Sequence, residues 1–456
     1  RGATGTTAAI HSSGATVTDA SNFFAWNAAA SGDIVTAPGL WSLDNFGNKL
    51  IATISGGETF EWDSDPTTAN ATRATILANA PTSSSFSLVS TPDRHLIFFG
   101  TETTIGTSST RDEMFIRFSD QENIDGSDAY APSATNTAGT QRLADGSKIM
   151  GAIRGRDAIY VWTDTALFIM RFVGSPFTFS FQQVGTNCGL IGQNAAVEVD
   201  GSAYWMSENG FFRYTGKLES LACLVEDHVY DDINTIPKQH INAGLNNLFG
   251  EVMWFYPNSG SGTVNRMVCY NYLDSTPERP VWTTGTLART AWQDSAVFGK
   301  PHATEYNSGD TTATTNKDHV IGCTDGTTTY FEHEKGLDEI KEGTTNSITA
   351  NIQSGDFDIG QQGLAGDGEF MMKIRRVLPD FLSQTGDSVV TLNLKDFPND
   401  TAASSSLGPF TVNNSTQKLD TRARARSIAL KVSNSSTSQF WKLGTFRLDI
   451  QPDGRR

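Results

Sequence analysis

A short apolar strand, a tight turn and a second strand carrying aromatic residues recur along this chain. The clearest copy has strands at 157–162 and 166–172, joined by the turn Thr163-Asp164. Six such hairpins are centred near positions 54, 105, 163, 201, 260 and 325. Units of three or four strands at about 40 to 50 residues are typical of β-propeller blades, whose radial stacking leaves only short edges exposed. The repeat predicts an all-β protein with a β-propeller at 41–344, of which about six blades are visible.

The other five hairpins follow the same pattern with less regular spacing. Their strand pairs are 49–54 with 59–62, 94–100 with 114–118, 195–199 with 203–206, 251–256 with 266–272, and 319–323 with 329–333. The Thr-, Ser- and Gly-rich spans 101–111, 126–147 and 303–317 are predicted to be loops inserted on one rim. Residues 1–40 are interpreted as an N-terminal extension or an incomplete blade.

One stretch departs from the β pattern. Val225, Val229 and Ile233 are spaced i, i+4 and i+8, which places them on one face of a helix. We therefore expect a short helix between two blades.

The pattern of the chain changes from about residue 345. Apolar and polar residues alternate strictly at 347–352, 372–377, 388–394, 427–432 and 441–450. Alternation of this kind indicates antiparallel strands with one buried face, and the hairpin repeat is missing here. Residues 345–456 are thus predicted to form a separate C-terminal antiparallel β-sandwich domain.

The charge of the chain is uneven. The formal net charge is −16, but residues 367–456 contain 13 Lys and Arg against 9 Asp and Glu, or +4, which leaves −20 for residues 1–366. Tight binding of DNA needs a basic surface to contact phosphates, so the acidic part disfavours it. No run of 18 apolar residues occurs, and we expect no insertion into a membrane.

The residues that could carry chemistry do not form a recognisable motif. Nucleotide-binding loops, H-E-x-x-H and G-x-S-x-G are all missing from the sequence. His228 and His240, twelve residues apart, are the one His pair that could bind a metal ion, and they are interpreted instead as polar residues on a helix and the loop after it. Cys188, Cys223, Cys269 and Cys323 lie far apart without a C-x-x-C pair, and are interpreted as buried thiols of a protein assembled in a reducing cytoplasm. We predict no catalytic, cofactor-binding or metal-binding residues, and no enzymatic activity.

Several residues have a functional alternative that stays open at this point. Asp44, Glu61, Asp164 and Glu208 lie near hairpin turns, where paired carboxylates could serve a glycosidase. In Glu332-His333-Glu334, strand alternation keeps the imidazole off the face of the glutamates, and a solvated strand end is expected. The recurring aromatic residues are interpreted as packing between blades; they are Trp62, Trp162, Phe168, Phe172, Tyr204, Trp205, Phe212, Trp254 and Phe255.

Arginines are concentrated in the C-terminal domain. Arg422, Arg424 and Arg426 alternate with alanines, which in a strand places all three guanidinium groups on one face. Arg375 and Arg376 lie in the same domain. Guanidinium groups in this arrangement suit carboxylates or phosphates. We predict a contact to a neighbouring subunit or ring, with a solvated face or a contact to DNA as the alternatives.

Several longer phrases of the sequence resemble a known family. They include 154–164, 172–179 and 185–190, then Tyr204-Trp205-Met206, 212–216, 231–234, 252–257, 41–44, 441–444 and 452–456. Spread over most of the chain, they are similar to the tail nozzle or packaged-DNA stabilisation proteins of short-tailed phages (podoviruses).

The resemblance implies a structural virion protein assembled in the host cytoplasm. Members form a homo-hexameric propeller ring at the distal end of the tail, which closes the DNA channel after packaging and opens for ejection. The implied partners are an adaptor ring, a fibre or needle protein, and DNA that passes through the lumen without sequence-specific binding. Another phage tail or host-recognition propeller, or a carbohydrate-active propeller enzyme, is the alternative.

Overall fold

The computed structural model describes most of the chain after residue 39. The described residues are 40–63, 73–91, 93–174, 176–295, 298–307, 320–323, 326–341, 343–359, 369–397, 399–400 and 403–454. Two compact units are formed: unit 1 ends at His333, and unit 2 begins at Glu334. The boundary predicted at 344/345 falls instead within a hairpin of unit 2. Apart from residue 40, the predicted N-terminal extension lies outside the described residues.

The described residues of unit 1 form six four-stranded antiparallel sheets. The first consists of β1 (Trp41–Phe46), β2 (Lys49–Ile54), β3 (Thr59–Asp63) and β4 (Thr75–Ile76). The second consists of β5 (Phe86–Val89), β6 (Leu96–Phe99), β7 (Phe115–Phe118) and β8 (Gly139–Arg142). The third consists of β9 (Ile149–Arg154), β10 (Ile159–Thr163), β11 (Ala166–Gly174) and β12 (Thr178–Thr186).

The remaining three sheets of unit 1 follow in chain order. The fourth consists of β13 (Ala196–Val199), β14 (Ser202–Ser207), β15 (Gly210–Tyr214) and β16 (Leu218–Leu221). The fifth consists of β17 (Asn242–Asn246), β18 (Glu251–Tyr256), β19 (Arg266–Asn271) and β20 (Trp282–Gly285). The sixth consists of β21 (Ala291–Gln293), β22 (His302–Asn307), β23 (Val320–Cys323) and β24 (Gly326–Glu332), in the order β21-β22-β24-β23.

The first strands of successive sheets lie beside each other. β1 contacts β5, β5 contacts β9, β9 contacts β13, β13 contacts β17, and β17 contacts β21. Each of the first five sheets is a simple meander in which every strand pairs with the next one along the chain. Meander sheets that meet through their first strands are the arrangement of propeller blades. Unit 1 is therefore a β-propeller, as the hairpin repeat predicted, and all six predicted hairpins are present.

The second strands of the second to fifth sheets, β6, β10, β14 and β18, are buried along almost their whole length, which explains their uninterrupted apolar sequences. Trp162 in β10, Trp205 in β14 and Trp254 in β18 are fully buried, and the Trp162 and Trp205 ring centroids lie 5.3 Å apart. The indole nitrogens of Trp205 and Trp254 donate to backbone carbonyl groups of Cys188 and Ala195, at 2.8 and 3.0 Å. The prediction that these aromatics pack between blades is confirmed for all three.

A helix follows the fourth sheet, at the position predicted. This helix, α1 (Glu226–Asp232), buries Val229 completely, while Val225 and Ile233 lie at its two ends. The Tyr230 hydroxyl donates to the carbonyl oxygen of Ser207 at 2.7 Å, which holds the helix against β14. No helix within the described ranges is long and apolar enough to cross a membrane.

Unit 2 is also antiparallel β structure. A hairpin of β25 (Asp338–Lys341) and β26 (Thr344–Ser347) begins it. One sheet pairs β27 (Ala350–Gln353), β33 (Ser427–Asn434), β30 (Ser388–Lys395) and β31 (Ser405–Val412), in that order. A second pairs β32 (Leu419–Ala425), β28 (Met372–Leu378) and β35 (Arg447–Pro452), and a two-stranded sheet pairs β29 (Phe381–Thr385) with β34 (Phe440–Leu443).

One hydrophobic cluster takes side chains from both larger sheets of unit 2. Val390 and Ile428 of the first sheet pack in it with Ile374 and Ala423 of the second. Two predicted strands are divided in the structure. The stretch 347–352 is split between β26 and β27, and the stretch 441–450 contributes β34 and β35 to different sheets. The alternation of apolar and polar residues does not show where the chain passes from one sheet to another, because the same alternation continues through the residues that connect the two strands.

Candidate functional site

The outer face of the three-stranded sheet β32-β28-β35 gathers most of the predicted site residues. Along β32, Thr421, Ala423 and Ala425 point into the core, so that Arg422 and Arg424 project from the opposite face. We call this outer surface the arginine face. It carries seven basic residues, Lys373, Arg375, Arg376, Lys418, Arg422, Arg424 and Arg447, and three acidic residues, Asp420, Asp449 and Asp453.

Arg375 and Arg376 are both exposed although they are neighbours in the chain. A β-bulge in β28 causes this: against β35, Ile374 pairs with Ile450 and Arg376 with the adjacent Asp449, so Arg375 is the extra residue. The register with β32 shifts at the same point. Without the bulge, one of the two guanidinium groups would point into the core. The alternation of residues in the sequence does not reveal a bulge. Only the structure therefore places Arg375 and Arg376 on the same face.

Arg426 does not share the face of the other two arginines, and this part of the prediction is wrong. β32 ends at Ala425, and β33 of the other sheet begins at Ser427. Arg426 lies between them, where its Nη1 donates to the carbonyl oxygen of Glu369 at 3.1 Å and its backbone N–H donates to the carbonyl oxygen of Lys395 at 3.1 Å. The residue thus holds the crossing between two sheets rather than extending the arginine face.

Ion pairs neutralise part of the arginine face. Arg376 and Lys418 both bind Asp420, at 2.9 and 3.1 Å, and Arg424 binds Asp453 at 2.7 Å. The hydrogen bonds from Arg376 and Lys418 lower the pKa of the Asp420 carboxyl. Within the part of the chain that the structure describes, Arg375 and Arg422 have no ion-pair partner.

The structural boundary changes the distribution of charge. Unit 1 contains 19 Lys and Arg against 35 Asp and Glu, a formal charge of −16, whereas unit 2 contains 15 of each and is neutral. The +4 of residues 367–456 is offset by a charge of −4 over residues 334–366, and several of the basic residues are concentrated on the arginine face. Positive charge concentrated on the arginine face is available for an anionic surface.

The four candidate carboxylates each have a structural partner. Asp44 accepts from Arg154 Nη1 at 3.0 Å, and Glu61 lies 2.8 Å from Lys49 Nζ. Asp164 accepts from the backbone N–H of Ser147 at 2.8 Å and from its hydroxyl at 2.5 Å, and these bonds lower its pKa against the effect of burial. Glu208 pairs with the ammonium of Lys238.

His333 is half-buried against neighbouring side chains, which corrects the prediction of a solvated strand end for this residue. Glu332 and Glu334 are exposed, and His333 points away from them as strand alternation requires. Its Nε2 accepts a hydrogen bond from Arg289 Nε at 2.8 Å, and its ring lies 4.6 Å from that of Trp292. Burial, aided by the charge of Arg289, lowers the pKa of His333 to about 3.

His95 was not singled out by the sequence, because a lone histidine beside an apolar strand gives no pattern. It is completely buried, against the rings of Phe118, Phe172 and Phe179. Its Nε2 lies 3.1 Å from Thr137 Oγ1, while its Nδ1 has no hydrogen-bond partner. Burial lowers the pKa of His95 to about 4.

The cysteines are mostly buried, as predicted. Cys188 and Cys269 are buried, Cys223 is half-buried, and all three are free thiols. Burial raises the pKa of Cys188 and Cys223 to about 11 and that of Cys269 to about 12. The side chain of Cys323 lies outside the described residues. Within those residues, no group of three His, Cys, Asp or Glu side chains is arranged to hold a metal ion.

One aromatic residue predicted to pack between blades is exposed. Strands β11 and β12 have nine residues each, longer than the other strands of unit 1. Their shared tip carries Phe172, Val173 and Phe177, which are 42%, 54% and 76% exposed. Phe172 therefore lies at a projecting tip, where it keeps contact with Phe179 at a centroid distance of 5.7 Å.

Comparisons with known proteins give similarity of fold only. No family model matches the sequence, and no curated protein matches it. Among solved structures, the AfRom2 CNH domain is 11% identical with a TM-score of 0.37, over 71% of this chain and 90% of that chain.

Two further solved structures are similar at the same low level. BamB from Moraxella catarrhalis is 12% identical with a TM-score of 0.29, over 63% of this chain and 83% of that chain. AztD from Citrobacter koseri is 8% identical with a TM-score of 0.31, over 54% and 72%. Both are propeller proteins. The description of this chain as a β-propeller protein rests on its own sheets.

Proposed function

We propose that this chain is a structural virion protein that forms a homo-hexameric ring in the tail of a short-tailed phage. In this proposal the ring closes the DNA channel after packaging and lets the genome leave during ejection. The observation that carries it is the succession of first strands, β1, β5, β9, β13, β17 and β21, each beside the next. A toroidal body of this kind can act through its shape without any catalytic group.

We further propose the finer features of the fold. The six four-stranded sheets of unit 1 would be the blades of a six-bladed propeller, and the two larger sheets of unit 2 would form a β-sandwich. The shared hydrophobic cluster of unit 2 supports the sandwich, because facing sheets bury their side chains in a common core.

The positions of the resembling phrases support the phage assignment. The stretch 154–164 contains β10 and its two turns, and Tyr204-Trp205-Met206 lies in β14. Residues 252–257 lie in and just after β18. These three stretches contain the second strands of successive sheets, and their residues Trp162, Trp205 and Trp254 are fully buried in one hydrophobic cluster. The resemblance therefore concerns the body of the propeller rather than a single surface loop.

Charge supports a channel through which DNA slides. Unit 1 has a formal charge of −16 and would repel phosphates, so that DNA could pass without binding. Adaptor and fibre or needle proteins are the proposed partners at the two ends of the ring. The virion is the proposed location, reached after assembly in the host cytoplasm.

Electron microscopy of the purified protein, together with sedimentation velocity, tests this function. We expect rings with sixfold symmetry and a central opening. A trimer that binds glycans would indicate a host-recognition protein instead. A protein that stays monomeric at all concentrations, or that hydrolyses a glycoside through two facing carboxylates, would contradict the proposal.

A further inference from the structure

We propose that the arginine face binds an acidic surface on unit 1 of a second copy of this chain, so that copies associate head to tail. This inference rests on the proposed ring and deepens it, since it names the two surfaces that meet. The acidic surface is centred on α1, and we call it the helix patch. It consists of Leu224, Asp227, Asp231 and Ile236.

The arginine face is a sheet surface that carries more basic than acidic residues. Seven basic residues oppose three aspartates there, and Arg375 and Arg422 have no ion-pair partner among the described residues. Leu378, at the end of β28, also projects from this face and is 37% exposed. An interface that combines unpaired guanidinium groups with an exposed apolar side chain suits an acidic protein surface.

Protein fits this face better than nucleic acid. Asp420, Asp449 and Asp453 are interleaved with the basic residues, and carboxylates at these positions would repel phosphate groups. A protein partner tolerates such a mixture, because its own lysines and arginines can oppose the aspartates. The other copy's unit 1, with 19 basic and 35 acidic residues, offers both kinds of charge with a large acidic excess.

The helix patch has the complementary features. Val229 fixes α1 to the body of unit 1 from its buried side, which leaves Asp227 and Asp231 exposed on the outer side, whereas half-buried Glu226 lies one turn before Val229. The two exposed carboxylates have no ion-pair partner within the described part of the chain. Leu224 and Ile236 flank them and are 77% and 74% exposed. Exposed aliphatic side chains on both sides of an acidic helix mark a contact surface better than carboxylates alone do.

The two surfaces differ, so their contact is heterologous. Each chain would contribute its arginine face to one neighbour and its helix patch to the other. Such contacts produce a closed ring when the rotation between copies closes, and an open filament when it does not. A pairwise interface of this type is compatible with a ring of six, and the number of copies is then set by geometry.

Charge reversal tests the contact. In Arg375→Glu/Arg422→Glu, and separately in Asp227→Lys/Asp231→Lys, we expect association at least 10-fold weaker in sedimentation velocity, because like charges then face each other. The matched control for the first variant is Arg156→Glu/Lys217→Glu, which changes the net charge by the same amount at two exposed turn residues of unit 1. This control should assemble as the unchanged protein does. Circular dichroism shows that each variant is folded.

Mixing the two reversed variants distinguishes contacts between chains from contacts within one chain. Each variant retains one unchanged surface, which is complementary to the unchanged surface of the other variant. The helix patch with lysines is likewise complementary to the arginine face with glutamates. We therefore expect the equimolar mixture to associate while each variant alone does not. A chain that carries all four substitutions should regain assembly.

The outcomes separate this inference from the proposed function. Rings that persist unchanged in both reversed variants would overturn the interface and leave the ring intact. Loss of binding to a fluorescent DNA duplex in Arg375→Glu/Arg422→Glu, with assembly unchanged, would overturn it in favour of nucleic acid. An unchanged protein that never associates would overturn both proposals.

Discussion

Arg154 Nη1 donates hydrogen bonds to both carboxylate oxygens of Asp44, each at 3.0 Å, and this contact joins the first and third sheets of unit 1 across the second. The backbone of Val89 in β5 takes part: its N–H donates to Asp44 Oδ2 at 2.8 Å, and its carbonyl accepts from Arg154 at 3.2 Å. Asp44, one of the carboxylates considered for a glycosidase, thus connects the neighbouring first strands β1, β5 and β9.

Replacing Asp44 by Ala should destabilise unit 1 by about 1–3 kcal/mol, because the Val89 N–H loses its acceptor inside the structure. The midpoint of urea unfolding measures this change. Asp157→Ala, at an exposed turn next to β10, is the matched control and should stay within about 0.5 kcal/mol of the unchanged protein. Equal effects of the two substitutions would show that the Asp44 contacts contribute nothing particular.

His95 should make the stability of unit 1 depend on pH. Its folded pKa, about 4, lies below the ordinary value of 6.5, so protonation favours unfolding. The stabilisation is complete above pH 6.5 and is lost as the pH falls towards 4, in total about 3 kcal/mol. The physical reason is that Thr137 Oγ1 donates to Asp120 at 2.7 Å and so accepts from His95 Nε2, which leaves Nδ1 to take the added proton without an acceptor.

Urea unfolding of His95→Gln at a series of pH values tests this prediction. The variant should lose much of the decrease in stability between pH 6.5 and 4. His228→Gln, an exposed histidine of α1, is the control and should keep the full decrease. His333, which is half-buried, has a pKa of about 3, and its contribution remains in both variants. Identical pH profiles for the two variants would show that His95 is not the titrating group.

Gly189 should not tolerate a larger residue. A Cβ atom there would lie 2.0 Å from the carbonyl oxygen of Asp164, because residues 188–190 pair with the turn before β11. Gly189→Ala should therefore lower the free energy of unfolding by about 1–3 kcal/mol, measured by thermal or urea unfolding. Gly262→Ala is the matched control, since no atom lies within 4 Å of its added Cβ. A neutral effect of Gly189→Ala would mean that this turn moves freely.

The thiols should react in order of their exposure. Iodoacetamide labelling of the native protein, followed by peptide mass spectrometry, should modify half-buried Cys223 before Cys188 and Cys269. Alkylation needs the thiolate, and burial raises the pKa of all three, so each rate should be slow compared with that of the unfolded chain. Faster labelling of Cys269 than of Cys223 would contradict the described packing.

Much of the fold was predictable because the signals are local. The hairpins show themselves through apolar strands and Gly- or Asp-containing turns, as at Asp200-Gly201 between β13 and β14, where both residues have positive φ. The helix α1 was predictable from three apolar residues at helical spacing. The candidate site was predictable only in part: alternation places Arg422 and Arg424 on one face, but it placed Arg426 there as well.

The sequence by itself determined the elements with a short period: the hairpins of unit 1, the helix and the alternating strands of unit 2. Tertiary structure decided which strands pair, that 441–450 divides between two sheets, that a bulge exposes both Arg375 and Arg376, and that His333 packs against Arg289 and Trp292. The physical reason is that periodicity follows from backbone geometry within a few residues. Pairing, bulges and burial depend instead on which distant segment supplies the next strand and covers each face.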